Sequence, residues 1–473
     1  MTFGKFKLVF LTTDVLVFLL VLSGIGFLFF ARRREYYKTA WRQIRARRLP
    51  MVCMGIVLLY TLVALLDSVH FQQRAYAEGG EAQTTADGRP AYRAEILSLL
   101  DLFCTGLRGR TEKTFSAPFA TRQFTKELIE RKDGSRIRDY PPLVYGGSHL
   151  QNPDEKAGDI LELVLRGMLA GLGIGILLAG LTAGVYAGYV HFGSVAPEGS
   201  PSPASALRTG LKAGAFLGAA ALIVSVMAVL SAKYHFLGTD QVGRDVLFRA
   251  IKGCRVGLIV GTLTTLIATP VAILFGIMAG YFGGRVDDLI QYIYTTLSSI
   301  PGILLIAAAM LIVTTKIQQM HTVYASDIRL AWLCAVLGIG SWTGLCRLIR
   351  GETLRVRENE YIQASEAFGV GHLKIMFRHI LPNVMHIVLI SVILRFSGLV
   401  LAEAVLAYVG IGVDPSMESW GNMINAARLE ISRDPIVWWN LLAAFVFMFG
   451  LVLPANIFGD AVRDALDPRL RTE

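Results

Sequence analysis

Charged residues are scarce. Only 17% of the 473 residues are Asp, Glu, Lys or Arg, and 53% are apolar, whereas a soluble domain carries about a quarter charged residues. That balance excludes a soluble globular chain. Cysteine is scarce too: the five cysteines follow no spacing that marks a disulfide framework. Cys53, Cys334 and Cys346 fall in apolar runs and read as small buried hydrophobes; a bond between Cys104 and Cys254 stays open as an alternative. Nucleotide and metal chemistry have no local signature. There is no G-x-x-x-x-G-K-[ST] loop to cradle phosphates, no H-E-x-x-H or His/Cys cluster at ligand spacing, and no G-x-S-x-G elbow. His70, His235, His321, His372, His379 and His386 are scattered among loops and span ends and read as solvated or interfacial residues. These absences point to transport or scaffolding. The net charge of +10 needs no nucleic-acid partner, because the basic residues gather beside apolar segments, as the positive-inside rule requires.

Long apolar runs are what the sequence does have. A helix crossing a bilayer needs about 20 apolar residues, and nine segments qualify, near 8–30, 51–70, 160–190, 207–232, 256–281, 289–314, 329–347, 384–410 and 437–458. The first has a longer apolar run than a secretory signal and no small-residue cleavage site after it, so it reads as an uncleaved span. Between the first two spans, ARRREYYKTAWRQIRARR holds eight Lys/Arg and one Glu. This is the strongest orientation signal in the chain and places residues 31–50 in the cytoplasm and the N-terminus outside. Counting forward, 71–159, 233–255, 315–328 and 411–436 are outer loops, while 348–383 and the C-terminal tail are inner. In the 71–159 loop, YAEGGEAQTTADGRPAY reads as flexible, ILSLLDLFCTGL as amphipathic, and ERKDGSRIRDYPPLVYGG as a hairpin turning at DGS. GSVAPEGSPSPAS is a linker between the third and fourth spans.

Within the inner loop, Leu354, Tyr361, Ala364 and Phe368 recur at helical spacing. Gly369 suits the end of that helix, because it tolerates positive φ. A second apolar stripe, Leu373, Met376, Phe377 and Ile380, follows, and Pro382 disfavours helix at Leu381, so the chain is expected to turn there. By itself this reads equally as an interfacial amphipathic hairpin or as a docking element for a partner. In the membrane, Arg395 and Glu403 stand eight residues apart on one helical side. They read either as lining a path or as pairing with neighbouring helices. Pro270 and Pro301 read as kinks, and glycine runs such as GMLAGLGIGILLAG as surfaces that pack the inserted spans against the core.

QASEAFG, a spacer and ILP, residues 363–382, resemble the EAA loop of ABC importer permeases. The pattern E-A-A-x-x-x-G…I-x-L-P falls on Gln363, Ala364, Ser365, Gly369, Ile380, Leu381 and Pro382. The leading Glu is replaced by Gln363 and the second Ala by Ser365. FLGTDQVGRDVLFRAIKGCRVGL from Phe236, AGYFGGRVDDLIQ from Ala279, SWGNMINAARL from Ser419 and GDAVRDALDPRL from Gly459 resemble oligopeptide/dipeptide permeases of this family. The likeness covers about 236–470 and, more weakly, 38–70.

The resemblance implies an all-α polytopic membrane helix bundle with a six-span permease core. About three extra spans and an extracytoplasmic insert are added to it. The expected division is an extra N-terminal span with a basic segment (1–50), a first core span (51–70), the insert (71–159), an inserted pair of spans (160–235) and the permease core (236–473), with the coupling loop at about 352–382. The charge-derived topology and the family topology agree. The resemblance further implies a peptide importer subunit of the bacterial inner membrane that is not itself an enzyme. Its coupling residues would be Gln363, Ala364, Ser365, Ala367, Gly369, Phe377, Ile380, Leu381 and Pro382. Expected partners are a second permease, two ATP-binding subunits that hold the ATP and magnesium, an extracytoplasmic binding protein, a peptide or similar small solute, and membrane lipid. No cofactor is expected in this chain. An ion-coupled secondary transporter, or a scaffold or sensor working through 71–159, remain the alternative classes.

Overall fold

The computed structural model describes residues 2–3, 6–33, 35–75, 91–130, 136–150, 152, 155–192, 203–320 and 322–466. Most of the expected flexible stretch at 76–92, the Asp133–Ser135 turn, most of the 193–205 linker, His321 and the tail after 466 lie outside the described residues. Strands β1 (Thr2–Phe3) and β2 (Phe6–Val9) precede helices α1 (Thr12–Arg32), α2 (Glu35–Ala46) and α3 (Arg48–Asp67). Then come β3 (His70–Arg74), β4 (Tyr92–Ser98), α4 (Leu99–Phe103), α5 (Thr105–Arg108), β5 (Glu127–Glu130) and β6 (Arg136–Asp139). The remainder is helical: α6 (Lys156–Phe192), α7 (Pro203–Ser231), α8 (Val246–Phe282), α9 (Gly284–Ser299), α10 (Gly302–Gln318) and α11 (Ala325–Arg357). Next are α12 (Glu360–Ala367), α13 (His372–Ile375), a π-helical turn (Met376–Ile380), α14 (Leu381–Tyr408), α15 (Trp420–Glu430) and α16 (Trp439–Leu466).

Among the described residues, seven helices are long and apolar enough to cross a membrane: α3, α6, α7, α8, α11, the run His372–Tyr408, and α16. The expected span over 289–314 differs. It is two helices, α9 and α10, bent by 87° at a short break. Pro301 sits in that break and opens α10 as its N-cap residue, since its missing N–H and fixed φ suit a helix start better than an interior. The start of the expected first span, Leu8 and Val9, belongs to strand β2, and α1, Thr12–Arg32, supplies the rest, apolar over Thr12–Gly26. Pro270 does lie inside a helix, α8. Several helices overrun the hydrophobic windows that marked them: α8 begins at Val246, and α11 continues through Arg357.

The chain forms two compact units, one of Met1–Leu102, Ala250–Ile436 and Ala444–Glu473, the other of Phe103–Arg249 and Val437–Ala443. In the first, β1 to β4 form an antiparallel sheet in sequential order. The stretch ILSLLDLFCTGL does not form one amphipathic helix. Ser98 ends β4, and the Asp101 carboxylate accepts the Ser98 N–H at 2.9 Å while Ser98 Oγ accepts the Asp101 N–H at 3.2 Å. This reciprocal cap starts α4 at Leu99. The main apolar core lies between α8, α9, α11 and α14, around Ile290, Tyr294, Ile349 and Val384. A second cluster joins Leu16 and Val17 of α1 to Val260 and Leu263 of α8 and Leu330 of α11.

In the second unit, β5 and β6 pair as the expected hairpin, Glu127 opposite Asp139 and Glu130 opposite Arg136. Helices α6 and α7 pack along their glycines, which corrects the expectation that those glycines face the core. A Cβ on Gly214 would lie 2.4 Å from the Ala179 Cα, and one on Gly171 2.6 Å from the Leu222 Cα. Only glycine permits backbones this close, and without a hydrophobic force between helices in lipid, such contact is what associates them. Cys104 and Cys254 are both free thiols, so the alternative of a bond between them is set aside.

The LGTD…GRDV stretch organises the polar interior of the second unit. Gly238 and Gly243 take φ of +73° and +78°. Asp240 Oδ1 accepts the N–H groups of Val242 and Arg244 at 2.9 and 2.8 Å. Asp245 Oδ1 accepts the N–H of Leu247 at 2.9 Å and so caps α8. Asp245 Oδ2 holds His235 Nδ1 at 2.8 Å, and Glu112 lies 3.4 Å from the other ring nitrogen. Burial opposes charge on His235, but its hydrogen bonds to Asp245 and Glu112 outweigh this and raise its pKa to about 9. Burial likewise opposes charge on Glu112. Hydrogen bonds from His235 and from the N–H groups of Val144, Tyr145 and Gly146 overcome it and bring the carboxyl to about 2.

The sign of the linkage follows. A raised His235 pKa stabilises the fold fully below its ordinary value of 6.5, and that stability is lost as pH rises towards 9. A depressed Glu112 pKa stabilises above its ordinary 4.5, and that stability is lost as pH falls towards 2. Thermal unfolding of the full chain in detergent is therefore expected to peak between these limits. His235→Asn should flatten the alkaline limb and Glu112→Gln the acid limb; identical pH profiles in both variants and wild type would contradict this.

Candidate functional site

The segment from Glu352 to Pro382 is a hook built on the end of α11. Residues 352–357 continue α11, so the first helix of the hook proper is α12. It ends at Gly369, φ +73°. The Gly369 N–H bonds to the Glu366 carbonyl at 2.9 Å and the Val370 N–H to the Ser365 carbonyl at 3.1 Å. This pair of bonds is the Schellman arrangement, which needs a left-handed residue at the corner. A side chain at 369 would meet no neighbour within 4 Å, so backbone conformation, not space, selects glycine here.

Pro382 does not turn the chain. Leu381 is helical, and the run from His372 continues into α14 without a break. The π turn at Met376–Ile380 is the reason. Its last bond joins the Leu381 N–H to the Met376 carbonyl, and this wider turn gives the proline ring room that a regular helix denies it. The expectation of a corner before α14 failed because a proline placed directly after a π turn is sterically tolerated.

The hook has an inner and an outer side. Ile362, Ile375 and Ile380 are fully buried and Met376 nearly so, and they join the core with Ile349 of α11 and Ile290 of α9. Polar ties add to this. Tyr281, at the end of α8, places its hydroxyl 2.8 Å from His372 Nδ1 and 3.4 Å from Glu366. Arg357 donates to the Tyr281 carbonyl at 3.0 Å. Arg350 of α11 grips Asp287 of α9 with two bonds of 2.5 and 2.7 Å. Asn383 donates to the Tyr361 hydroxyl at 2.9 Å.

On the outer side, Gln363, Ala364, Ala367, Gly369, Phe377 and Pro382 are exposed, Ser365 and Leu381 are half-buried, and Ile380 points inward. Phe368 is 87% exposed and Leu373 68%. The two expected apolar stripes thus divide differently: Leu373 and Phe377 face out, while Ile362 and Ile375 were missed. Ile362 and Ile375 sit beside the stripes counted from the sequence, and the short α12 and α13 leave the helical period poorly fixed. Tyr281 and the Asp287–Arg350 pair were missed for another reason, since partners 63 to 91 residues apart leave no local spacing.

Arg395 and Glu403 do not meet each other. Arg395 donates to the Ser341 carbonyl of α11. Glu403 is buried, with its carboxylate against Gly421 in the first turn of α15. Each thus meets a different neighbouring helix. Among the described residues, no group of three or more His, Cys, Asp or Glu is placed to hold a metal ion.

A bundle of apolar spans, one of them broken, with a rigidly seated helical hook between two others, defines a membrane transport subunit. The chain belongs to the family described as binding-protein-dependent transport system inner membrane component, which matches residues 272–472. It is 34% identical over 240 residues to the oligopeptide transport system permease protein OppC of Haemophilus influenzae, covering 50% of this chain and 71% of that protein. It is 31% identical to the dipeptide transport system permease protein DppC of Bacillus subtilis, covering 50% and 69%. To the glutathione transport system permease protein GsiD of Pectobacterium atrosepticum it is 32% identical, covering 50% and 74%. The chain is therefore a multi-span permease subunit of an ABC importer, a protein of the bacterial inner membrane.

Proposed function

We propose that this permease imports peptides or similar small solutes as one half of a path shared with a second, different permease subunit. One of two cytoplasmic ATP-binding subunits docks on the outer side of α12 and the α13–π segment, the other on the hook of the second permease, and a binding protein delivers cargo on the opposite face. ATP and magnesium belong to the ATP-binding subunits. Residues 31–50 and the C-terminus are cytoplasmic, and the N-terminus is outside. The relatives named for oligopeptide, dipeptide and glutathione transport support a peptide-like cargo.

The observation that carries this reading is the two-sided hook. Its inner residues are locked to α8, α9 and α11, while Ala364, Phe368 and Leu373 stand out from it. A surface so exposed and so rigidly mounted suits a mechanical coupling element: a partner that moves it moves three membrane helices. ATP binding shifts the transporter only as far as it favours one of the two states. Gln363 takes the place of the family's Glu, so docking here relies on shape and apolar contact more than on an ion pair.

The test is co-purification of the full chain from native membranes beside Gly369→Pro. Proline fixes φ near −65° and is incompatible with the corner. Wild type is expected to retain an ATP-binding subunit and a second permease, and the variant to keep the permease and lose the ATP-binding subunit. Wild type that brings down no ATP-binding subunit would remove the mechanism.

A further inference from the structure

The first half of the broken span has a polar face that nothing covers among the described residues. Asp288, Gln291, Tyr292, Thr295, Thr296 and Ser299 line a shallow groove along α9. They fall at i, i+3, i+4, i+7, i+8 and i+11, one stripe of a helix. The opposite side of α9 is committed: Asp287, Ile290 and Tyr294 are buried, Asp287 is gripped by Arg350, and Arg347 lies over the Tyr294 ring at 5.1 Å. Helix α9 is thus held in a fixed rotation with the hydroxyls of Tyr292, Thr295, Thr296 and Ser299 and one carboxylate facing away from the protein. Tyr292 is 71% exposed, and Asp288 makes no ion pair among the described residues.

Lipid is a poor neighbour for this face, because exposed polar groups in a membrane span are costly unless they meet water or protein. A helix lying flat in the interface is a poor reading as well. Such helices dip an apolar face into lipid and carry Lys and Arg on the other. Here the face opposite the stripe is inside the protein, the apolar flank left exposed is narrow, Leu289 and Ile293, and Arg285 is the one basic residue of α9.

We propose that this face of α9 is a wall of the aqueous solute path. Its class of ligand is a short peptide, bound through backbone amides by the hydroxyls of Tyr292, Thr295, Thr296 and Ser299 and by the amide oxygen of Gln291, whose Nε2 donates to Asp287 at 3.0 Å, with Asp288 suited to the peptide's ammonium group. Hydroxyls and one amide side chain read no particular sequence. The stripe therefore fits a solute whose common feature is its backbone. The 87° bend at Ile300–Pro301 ends the wall, because the exposed residues after it, Ile303, Leu304, Leu311 and Ile312, are apolar.

This inference rests on the peptide-import reading, and the experiment separates the two. The full transporter is reconstituted in proteoliposomes with ATP, and uptake of trialanine is measured for wild type and for single variants Thr296→Cys, Ser299→Cys and, as a lipid-side control, Leu311→Cys. A membrane-impermeant cationic methanethiosulfonate reagent is then applied with and without trialanine. The expected result is labelling at 296 and 299, loss of uptake on labelling relative to the same variant unlabelled, slower labelling in trialanine, and no labelling at 311. No labelling at 296 and 299, or labelling that leaves uptake intact, overturns the path wall while wild-type uptake keeps the peptide reading standing. Absence of trialanine uptake by wild type overturns the peptide reading, and the ligand class assigned to α9 with it.

Discussion

Arg255→Ala is expected to release α1 from the core and to be among the most damaging single changes in the chain. The Arg255 guanidinium, buried in α8, donates to Asp14 Oδ1 at 2.7 Å and to Thr13 Oγ at 3.0 Å, and stands 3.7 Å from Asp327 of α11. The Thr13 N–H donates to Asp327 at 3.1 Å, and His70 Nδ1 lies 2.7 Å from Asp14 Oδ2. One cation therefore stands between two carboxylates that are 1% and 4% exposed. Removing it leaves both buried and facing each other, and breaking a buried pair from one side costs roughly 3–5 kcal/mol. The pair as a whole is not expected to be strongly stabilising, because taking the ions out of water offsets most of their attraction. The experiment is a cysteine pair linking α1 to α11 that crosslinks in wild type. The crosslink should disappear in Arg255→Ala and return in part in Arg255→Lys. An Arg255→Ala chain that crosslinks and unfolds like wild type would show that apolar contacts of Leu16 and Val17 hold α1 without the ions.

Trp420→Ala should lower stability by a similar amount through a different cause. Trp420 opens α15, is 1% exposed, and donates its indole N–H to the Ala250 carbonyl at 2.8 Å. Its ring lies on Gly253 and Gly257 of α8, where a Cβ would come within 2.6 and 2.8 Å of it. Tyr60 of α3 meets the ring edge-on at 6.2 Å. Deleting a buried Trp side chain costs about 3–5 kcal/mol, because two glycine faces cannot collapse to fill the space. Trp420→Phe should lose less, and Gly253→Leu should be as harmful as Trp420→Ala, because it fills the same space from the other side. Thermal unfolding in detergent reads all three. A mild Trp420→Ala beside a severe Gly253→Leu would mean that the site collapses around the smaller side chain, contrary to this cause.

These two sites were illegible in the sequence for one reason. Arg255 and Asp14 are 241 residues apart, and Trp420 and Ala250 are 170 apart, so no local spacing marks either contact. Glu403 and Arg395 illustrate the same limit from within one helix. Their spacing of eight placed them on one side of α14, yet the structure sends one to a carbonyl of α11 and the other to the first turn of α15. The glycines of α6 and α7 announced close approach, but two equally apolar faces do not say which neighbour will be met. Pro382 announced a turn that a π segment removed.

The sequence by itself determined that the chain is a bundle of membrane helices, most of its spans, the helical segments of its hook, the Gly369 corner and the β5–β6 hairpin. Each of these follows from composition or from residues within one turn of each other. Tertiary structure alone decided which side of the hook is seated, which charges are neutralised and by whom, and which face of α9 is left open. In a membrane chain most faces are apolar, so hydrophobic periodicity, which separates inside from outside in a soluble protein, separates little here. The choice between lipid, core and path is made by the few polar groups, and those find their partners across the chain rather than along it.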